Sequence, residues 1–176
     1  IAGGKMPYFK YKNKNICYEE RGNGSIPVVF LHGNTASSKM FSEITGFYEK
    51  DFKIFMIDFL GHGKSDRISE IPGNIWYEEA LQTVEFLKNI NTGKVNIIGT
   101  SGGALVGINC ALLSPERINR VIADSFEGEY ALDIIAETID NERENSKSDN
   151  NMVRFWKENH GKDWEAVVDM DTKAII

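Results

Sequence analysis

The chain has 176 residues, 41% of them apolar and 11% aromatic, which is enough for one good hydrophobic core and unlike a disordered segment. Its 26 acidic and 20 basic residues leave a net charge of −6, and Lys and Arg are nowhere clustered for phosphate neutralisation, so a nucleic-acid partner is excluded. No apolar run reaches 18 residues and no basic-then-apolar leader is seen, so no membrane partner is expected and a cytoplasmic protein is the default.

Met6 is a natural start, and the residues before it are set aside from the fold reading. Residues 8–12 and 15–20 read as short strands turned at Asn13 and Lys14 and closed by a loop at Gly22 to Gly24. Four continuous apolar runs follow, "IPVVFLHG", "FKIFMID", "KVNIIG" and "INRVIAD", of the kind buried on both faces of a parallel sheet. Between them lie helical patterns: "SSKMFSEITGFYEK", with Met40, Phe41, Ile44, Phe47 and Tyr48 as its apolar residues, then "NIWYEEALQTVEFLKNI" and "SGGALVGINCALL". Asn74 or Gly73 opens the second of these helices, and Pro115 ends the third just after Ser114. The alternation predicts an α/β fold, a mostly parallel sheet covered by helices on both faces and preceded by an antiparallel hairpin.

After "ADSFEG" the character changes. "EYALDIIAETIDNEREN" carries Ala131, Leu132, Ile134, Ile135 and Ile139 on one stripe, and "SKSDNN" reads as a loop. "MVRFWKENHG" and "DWEAVVDM" are two further helices, with Gly161 just past the end of the first and Asp163 as N-cap of the second. Three helices with no strand between them predict a lid, so residues 1–125 are read as core and 126–176 as a helical cap. Its inner stripe, Phe155, Trp156, Trp164 and Val167, suits an apolar acyl or alcohol group and equally suits packing. Cys17 and Cys110 lack any CxxC spacing and read as buried, reduced thiols.

The chemistry concentrates at "NIIGTSGGALVG". A dinucleotide fingerprint would need glycine where Ser101 stands, and a P-loop ending in "GHGKS" would need glycine where Asp58 stands. Gly99-x-Ser101-x-Gly103 between a buried strand and a helix instead describes a cramped bend. The glycines remove Cβ atoms that would collide, and the serine hydroxyl is held out at a helix N-terminus, where the N–H of Gly102 can donate to an oxyanion. His32, His62 and Asp58 flank turns and read as structural, with Asp66 a helper in the same loop. No metal-ligand spacing occurs and no cofactor is implied.

Three motifs in order, "FLHGN", "DFLGHGKSD" and "GTSGGA", each after a buried strand, make the chain resemble the α/β-hydrolase family over nearly its whole length. The resemblance implies Ser101 as nucleophile and the N–H groups of Asn34 and Gly102 as oxyanion hole. Thr35 could assist, and His32 and Gly33 shape the turn. "HGNTASS" is also similar to the haloalkane dehalogenase branch, but Ser101 and Gly102 stand where that branch has aspartate and tryptophan. The family's acid and histidine normally follow two further strands that this sequence lacks, so a truncated hydrolase of about 80 to 100 more residues is expected, by the usual size of a single α/β domain. Asp124 is the stand-in for the acid. His160, alone after Ser101, is a weak candidate base and a better helix cap. The leading expectation is a serine hydrolase acting on a small ester, or on an amide or activated C–C bond. A non-catalytic ligand-binding relative of the same fold is the alternative, and perhydrolase activity would use the same residues. Nothing in the pattern specifies an oligomeric state.

Overall fold

The computed structural model describes residues 7–71, 73–126 and 133–176, the segment 133–137 by its backbone alone. Six strands, β1 (Tyr8–Tyr11), β2 (Lys14–Arg21), β3 (Ile26–Leu31), β4 (Phe52–Ile57), β5 (Val95–Thr100) and β6 (Ile118–Asp124), form one sheet in the order β1-β2-β4-β3-β5-β6. The β1–β2 and β2–β4 pairs are antiparallel, and β3 to β6 are parallel. The four parallel strands therefore all end at one edge, where the loops carrying the three motifs converge. The hairpin turns at Lys12 and Asn13, one residue earlier than the sequence suggests. Both have positive φ (45° and 65°), the twist that a two-residue hairpin loop requires.

Helices α1 (Ile75–Asn89) and α2 (Gly102–Leu113) pack together on one face of the sheet. Their core joins Leu31, Phe55, Ile57 and Ile97 to Ala80, Phe86, Leu87 and Val106, all nearly inaccessible to solvent. Asn74 caps α1 by accepting from the Tyr77 N–H at 3.1 Å, and α2 stops at Leu113, just before Ser114 and Pro115.

The helix expected over 37–50 is instead two 3₁₀ turns, Ser38–Phe41 and Thr45–Phe47. Gly46 weakens helix there, and the hydroxyls of Ser42 and Thr45 bond back to the carbonyls of Lys39 and Ser42. Of the expected stripe only Phe41 is buried, while Phe47 is 82% exposed. The second face of the sheet thus has a smaller core, Val28, Phe30, Phe41, Ile54 and Met56. Among the described residues it carries these turns where a helix was expected, and an open apolar groove of about 610 Å³ runs along it beside Ile26, Phe52 and Ile122.

Three helices, α3 (Asp133–Ser146), α4 (Asn150–His160) and α5 (Trp164–Ile175), follow β6. Of the stripe read over 131–139, only Ile139 has a described side chain; Ala131, Leu132, Ile134 and Ile135 lie outside what is described. Trp156 and Trp164 stack at 5.4 Å and 12° and, with Val168, hold α4 to α5. Gly161 ends α4 at φ 86°, a value that glycine adopts without strain. Asp163 stands at the N-cap of α5 but makes no capping bond, because its carboxylate is taken by Arg67 Nε and Nη2 at 2.7 and 3.1 Å. Cys17 and Cys110 are free and buried, and burial pushes both thiols up to about 12. No helix among the described residues is long and apolar enough to cross a membrane.

Candidate active site

At the carboxyl edge of β5 the backbone of Ser101 adopts φ 56° and ψ −124°, a conformation that L residues avoid. Local contacts enforce it. A Cβ on Gly99 would lie 2.0 Å from the Gly103 carbonyl oxygen, and one on Gly103 would lie 2.1 Å from that of Leu31. No side chain fits at either position, so β5, α2 and β3 approach as only glycine permits. The Ser101 N–H donates to the Asp124 carbonyl at 2.8 Å, its side chain is exposed, and α2 begins at the next residue. The N–H of Gly102, in the first turn of α2, has no intrahelical acceptor and sits at the positive end of the helix dipole.

The turn after β3 lies against this bend, since a Cβ on Gly33 would come within 3.1 Å of Ser101 Cβ. His32 holds the turn. Its Nε2 accepts from the Phe59 N–H at 3.2 Å, which places the ring proton on Nδ1, from where it donates to the Gly33 carbonyl at 2.9 Å. Burial first, and then His62 nearby, lowers the His32 ring to about 3, so it stays neutral. The Asn34 N–H has no hydrogen-bond partner among the described residues, whereas its side chain is pinned: Trp76 Nε1 donates to Oδ1 at 3.1 Å, and Nδ2 donates to Asp171 Oδ2 at 3.2 Å. The Thr35 N–H, considered above as an oxyanion donor, is already given to Asp171 Oδ2 at 3.0 Å.

The remaining polar residues are structural ties. Asp58 accepts from the Lys64 N–H of its own loop at 2.8 Å, as a turn-former does, and also ties that loop to the first 3₁₀ turn by accepting from the Ser38 N–H at 2.7 Å. Asp66 likewise reaches out of the loop, to the hairpin, where it takes the Asn15 N–H at 2.8 Å. His62 lies wholly buried with acceptors at both nitrogens, the Leu60 carbonyl at 3.2 Å and Asp171 Oδ2 at 2.9 Å. Burial pushes the Asp171 carboxyl up, but the hydrogen bond and charge of His62, the Thr35 N–H and the Arg143 charge outweigh it and hold the group below its usual range. Nearby Glu79 is pushed well above its usual range by burial and by Asp171, so the charge rests on Asp171. Asp171 Oδ1 is buried with no donor among the described residues.

His160 accepts from the Gly63 N–H at Nδ1 (3.1 Å), so its Nε2 proton donates to the Thr35 carbonyl at 3.0 Å. With both nitrogens occupied it braces two loops. Asp124 is exposed at the end of β6, in register with Thr100. Sequence reasoning missed Trp76, Arg143 and Asp171. A signal existed for Asp171, which continues the apolar stripe Trp164, Val167, Val168 at helical spacing, where a charge is out of place without a partner.

Comparison with known proteins bears on the fold. Residues 26–166 match the family described as the alpha/beta hydrolase fold. A haloalkane dehalogenase of Mycolicibacterium paratuberculosis is 28% identical over 102 residues, 57% of this chain and 34% of its own length. A proline iminopeptidase of Clostridium botulinum is 29% identical over 130 residues, 71% of this chain and 43% of its own. The chain thus spans less than half of either relative. Among solved structures, a hydrolase from Pseudomonas aeruginosa PA01 superimposes with a TM-score of 0.76 at 15% identity, covering 98% of this chain and 73% of that one.

Proposed function

This chain belongs to the α/β hydrolase fold family, and we propose that it is the nucleophile-bearing part of a serine hydrolase that cleaves a small ester through an acyl-enzyme. Residues 1–125 form the core in this reading, and the helices within 126–176 form a cap over the carboxyl edge. Ser101 Oγ adds to the substrate carbonyl carbon while a general base takes its proton. The Asn34 and Gly102 N–H groups receive the oxyanion. The leaving alkoxide then departs with that proton, and water releases the acid by the reverse sequence. His32, His62 and His160 are each engaged with the backbone or with Asp171, so the base comes from outside these 176 residues. Asp124, beside Ser101 and exposed, is the candidate acid within the chain. The two free thiols fit a reducing compartment, the cytoplasm in our reading.

One observation carries the proposal: an exposed serine at φ 56° between glycines that tolerate no side chain, with the turn before the unengaged Asn34 N–H packed against it. A fluorophosphonate probe applied to the full-length gene product is expected to form one adduct, on Ser101, that S101A abolishes. An adduct elsewhere, or none, sinks the enzyme. The absence of any adduct, with ligand binding retained, favours the alternative of a non-catalytic binding protein, for which the engagement of all three histidines speaks.

A further inference from the structure

Thr35, the residue after the oxyanion candidate Asn34, has φ 55°, a strained value for a β-branched side chain. Each of its polar atoms is held by a different C-terminal helix. Arg143 of α3 donates from Nη1 to Thr35 Oγ1 at 2.9 Å, His160 of α4 donates to the Thr35 carbonyl at 3.0 Å, and Asp171 of α5 accepts the Thr35 N–H at 3.0 Å. Thr35 is 2% exposed, so water cannot replace these partners while the helices are docked.

Asp171 does more than hold Thr35. The same Oδ2 that takes the Thr35 N–H also takes Asn34 Nδ2, so one carboxylate oxygen spans the side chain of the oxyanion residue and the following peptide. The peptide plane bearing the Asn34 N–H is fixed at its other end, since the Gly33 carbonyl accepts from His32 Nδ1 at 2.9 Å and from the Ala36 N–H at 3.3 Å. Only the cap-side contacts can come and go with the helices. An oxyanion donor displaced by a fraction of an ångström loses most of its value, because its worth depends on being aimed before charge develops.

We propose that the C-terminal helices clamp the oxyanion turn at Thr35, with Thr35 and Asp171 as positioning residues, so that docking of the cap aims the Asn34 N–H. The inference rests on the serine-hydrolase reading. It differs from a passive lid, which would shape the substrate pocket without setting the machinery beneath it.

The test uses the full-length protein and p-nitrophenyl acetate. D171A is expected to lower kcat ten- to a hundredfold with KM changed less than threefold, and to weaken a boronic acid inhibitor, which imitates the tetrahedral intermediate, by a similar factor. D171N, which keeps the volume and one acceptor oxygen, falls between wild type and D171A. R143A, which removes one contact of three from a partly exposed position and leaves the buried pair intact, is expected to lower kcat two- to fivefold. Amide hydrogen exchange in residues 33–37 is expected to quicken at least tenfold in D171A, a change that needs no activity to be read. If KM rises while kcat and exchange stay put, the helices are only a lid and the clamp is overturned. Equally, Ser101 labelled normally with unchanged kcat and exchange in D171A and R143A overturns the clamp alone. Ser101 unlabelled in the wild type removes the hydrolase reading instead, and the exchange rates then decide whether the clamp itself exists.

Discussion

Ser101 and Thr35 lie in adjoining turns at the carboxyl edge of the sheet with nearly the same φ, 56° and 55°, and they are kept there by opposite means. The bend at Ser101 is held by its neighbours in sequence, Gly99 and Gly103, whose missing Cβ atoms let strand, helix and the β3 backbone close on one another. The bend at Thr35 is held by residues 108, 125 and 136 positions away. A strained conformation persists only where its surroundings over-determine it, and this site uses a local and a remote solution side by side. The local one cannot be undone without damaging the fold, whereas the remote one is as reversible as the docking of three helices.

The contrast breaks hardest at Ser101, the nucleophile of our proposal. S101A is expected to lower ester hydrolysis by at least about a thousandfold while circular dichroism stays unchanged, since the glycines and not the hydroxyl make the bend. Next comes the local scaffold. G103A drives a methyl group onto the Leu31 carbonyl and is expected to cost about 3 kcal/mol in urea unfolding; a loss under about 1 kcal/mol would show that the bend yields more readily than its contacts imply.

Acid probes the remote solution. Burial, with His62 and Arg67 nearby, brings His160 down from 6.5 to about 4, against the raising effects of its bond to Thr35 and of Asp171. An unfolded chain takes up this proton as pH falls below 6.5, while the folded one resists until about 4. The stabilisation is therefore complete above pH 6.5 and is lost as pH falls through that window, by on the order of 3 kcal/mol. Unfolding titrations of wild type against H160Q, which can keep both hydrogen bonds without titrating, should differ in slope between pH 4 and 6.5 and converge above it. The smallest effect on stability is expected from T35G. Glycine relieves the positive φ but gives up the Arg143 bond and stiffness of the unfolded chain, so the net change stays within about 1 kcal/mol. Its kcat should nonetheless fall, and an unchanged kcat would mean that the turn needs no restraint.

Much of this was legible from residue spacing. The four apolar runs became β3 to β6, although β6 keeps only Ile118 buried and leaves Ile122 59% exposed; the glycine pattern marked the bend at Ser101, and Asn74, Pro115 and Gly161 marked helix ends, because each of these depends on backbone sterics among residues a few positions apart. Where local signals conflicted the reading failed. Residues 37–50 carry apolar residues at helical spacing yet form 3₁₀ turns, since Gly46 and the serine and threonine hydroxyls oppose a helix and too little core lies beneath to overrule them.

The histidines mark the boundary. That His32 serves a turn could be read from the glycine beside it, but that His160 braces Thr35 and His62 meets Asp171 was decided only when the C-terminal helices settled onto the sheet edge. Sequence by itself determined where the chain bends and which serine stands exposed, because sterics act over a few bonds. Tertiary structure decided which groups hold the turn at Asn34 and Thr35, because a hydrogen bond needs its two atoms within about 3 Å and no spacing rule says which residue a hundred positions away will arrive there.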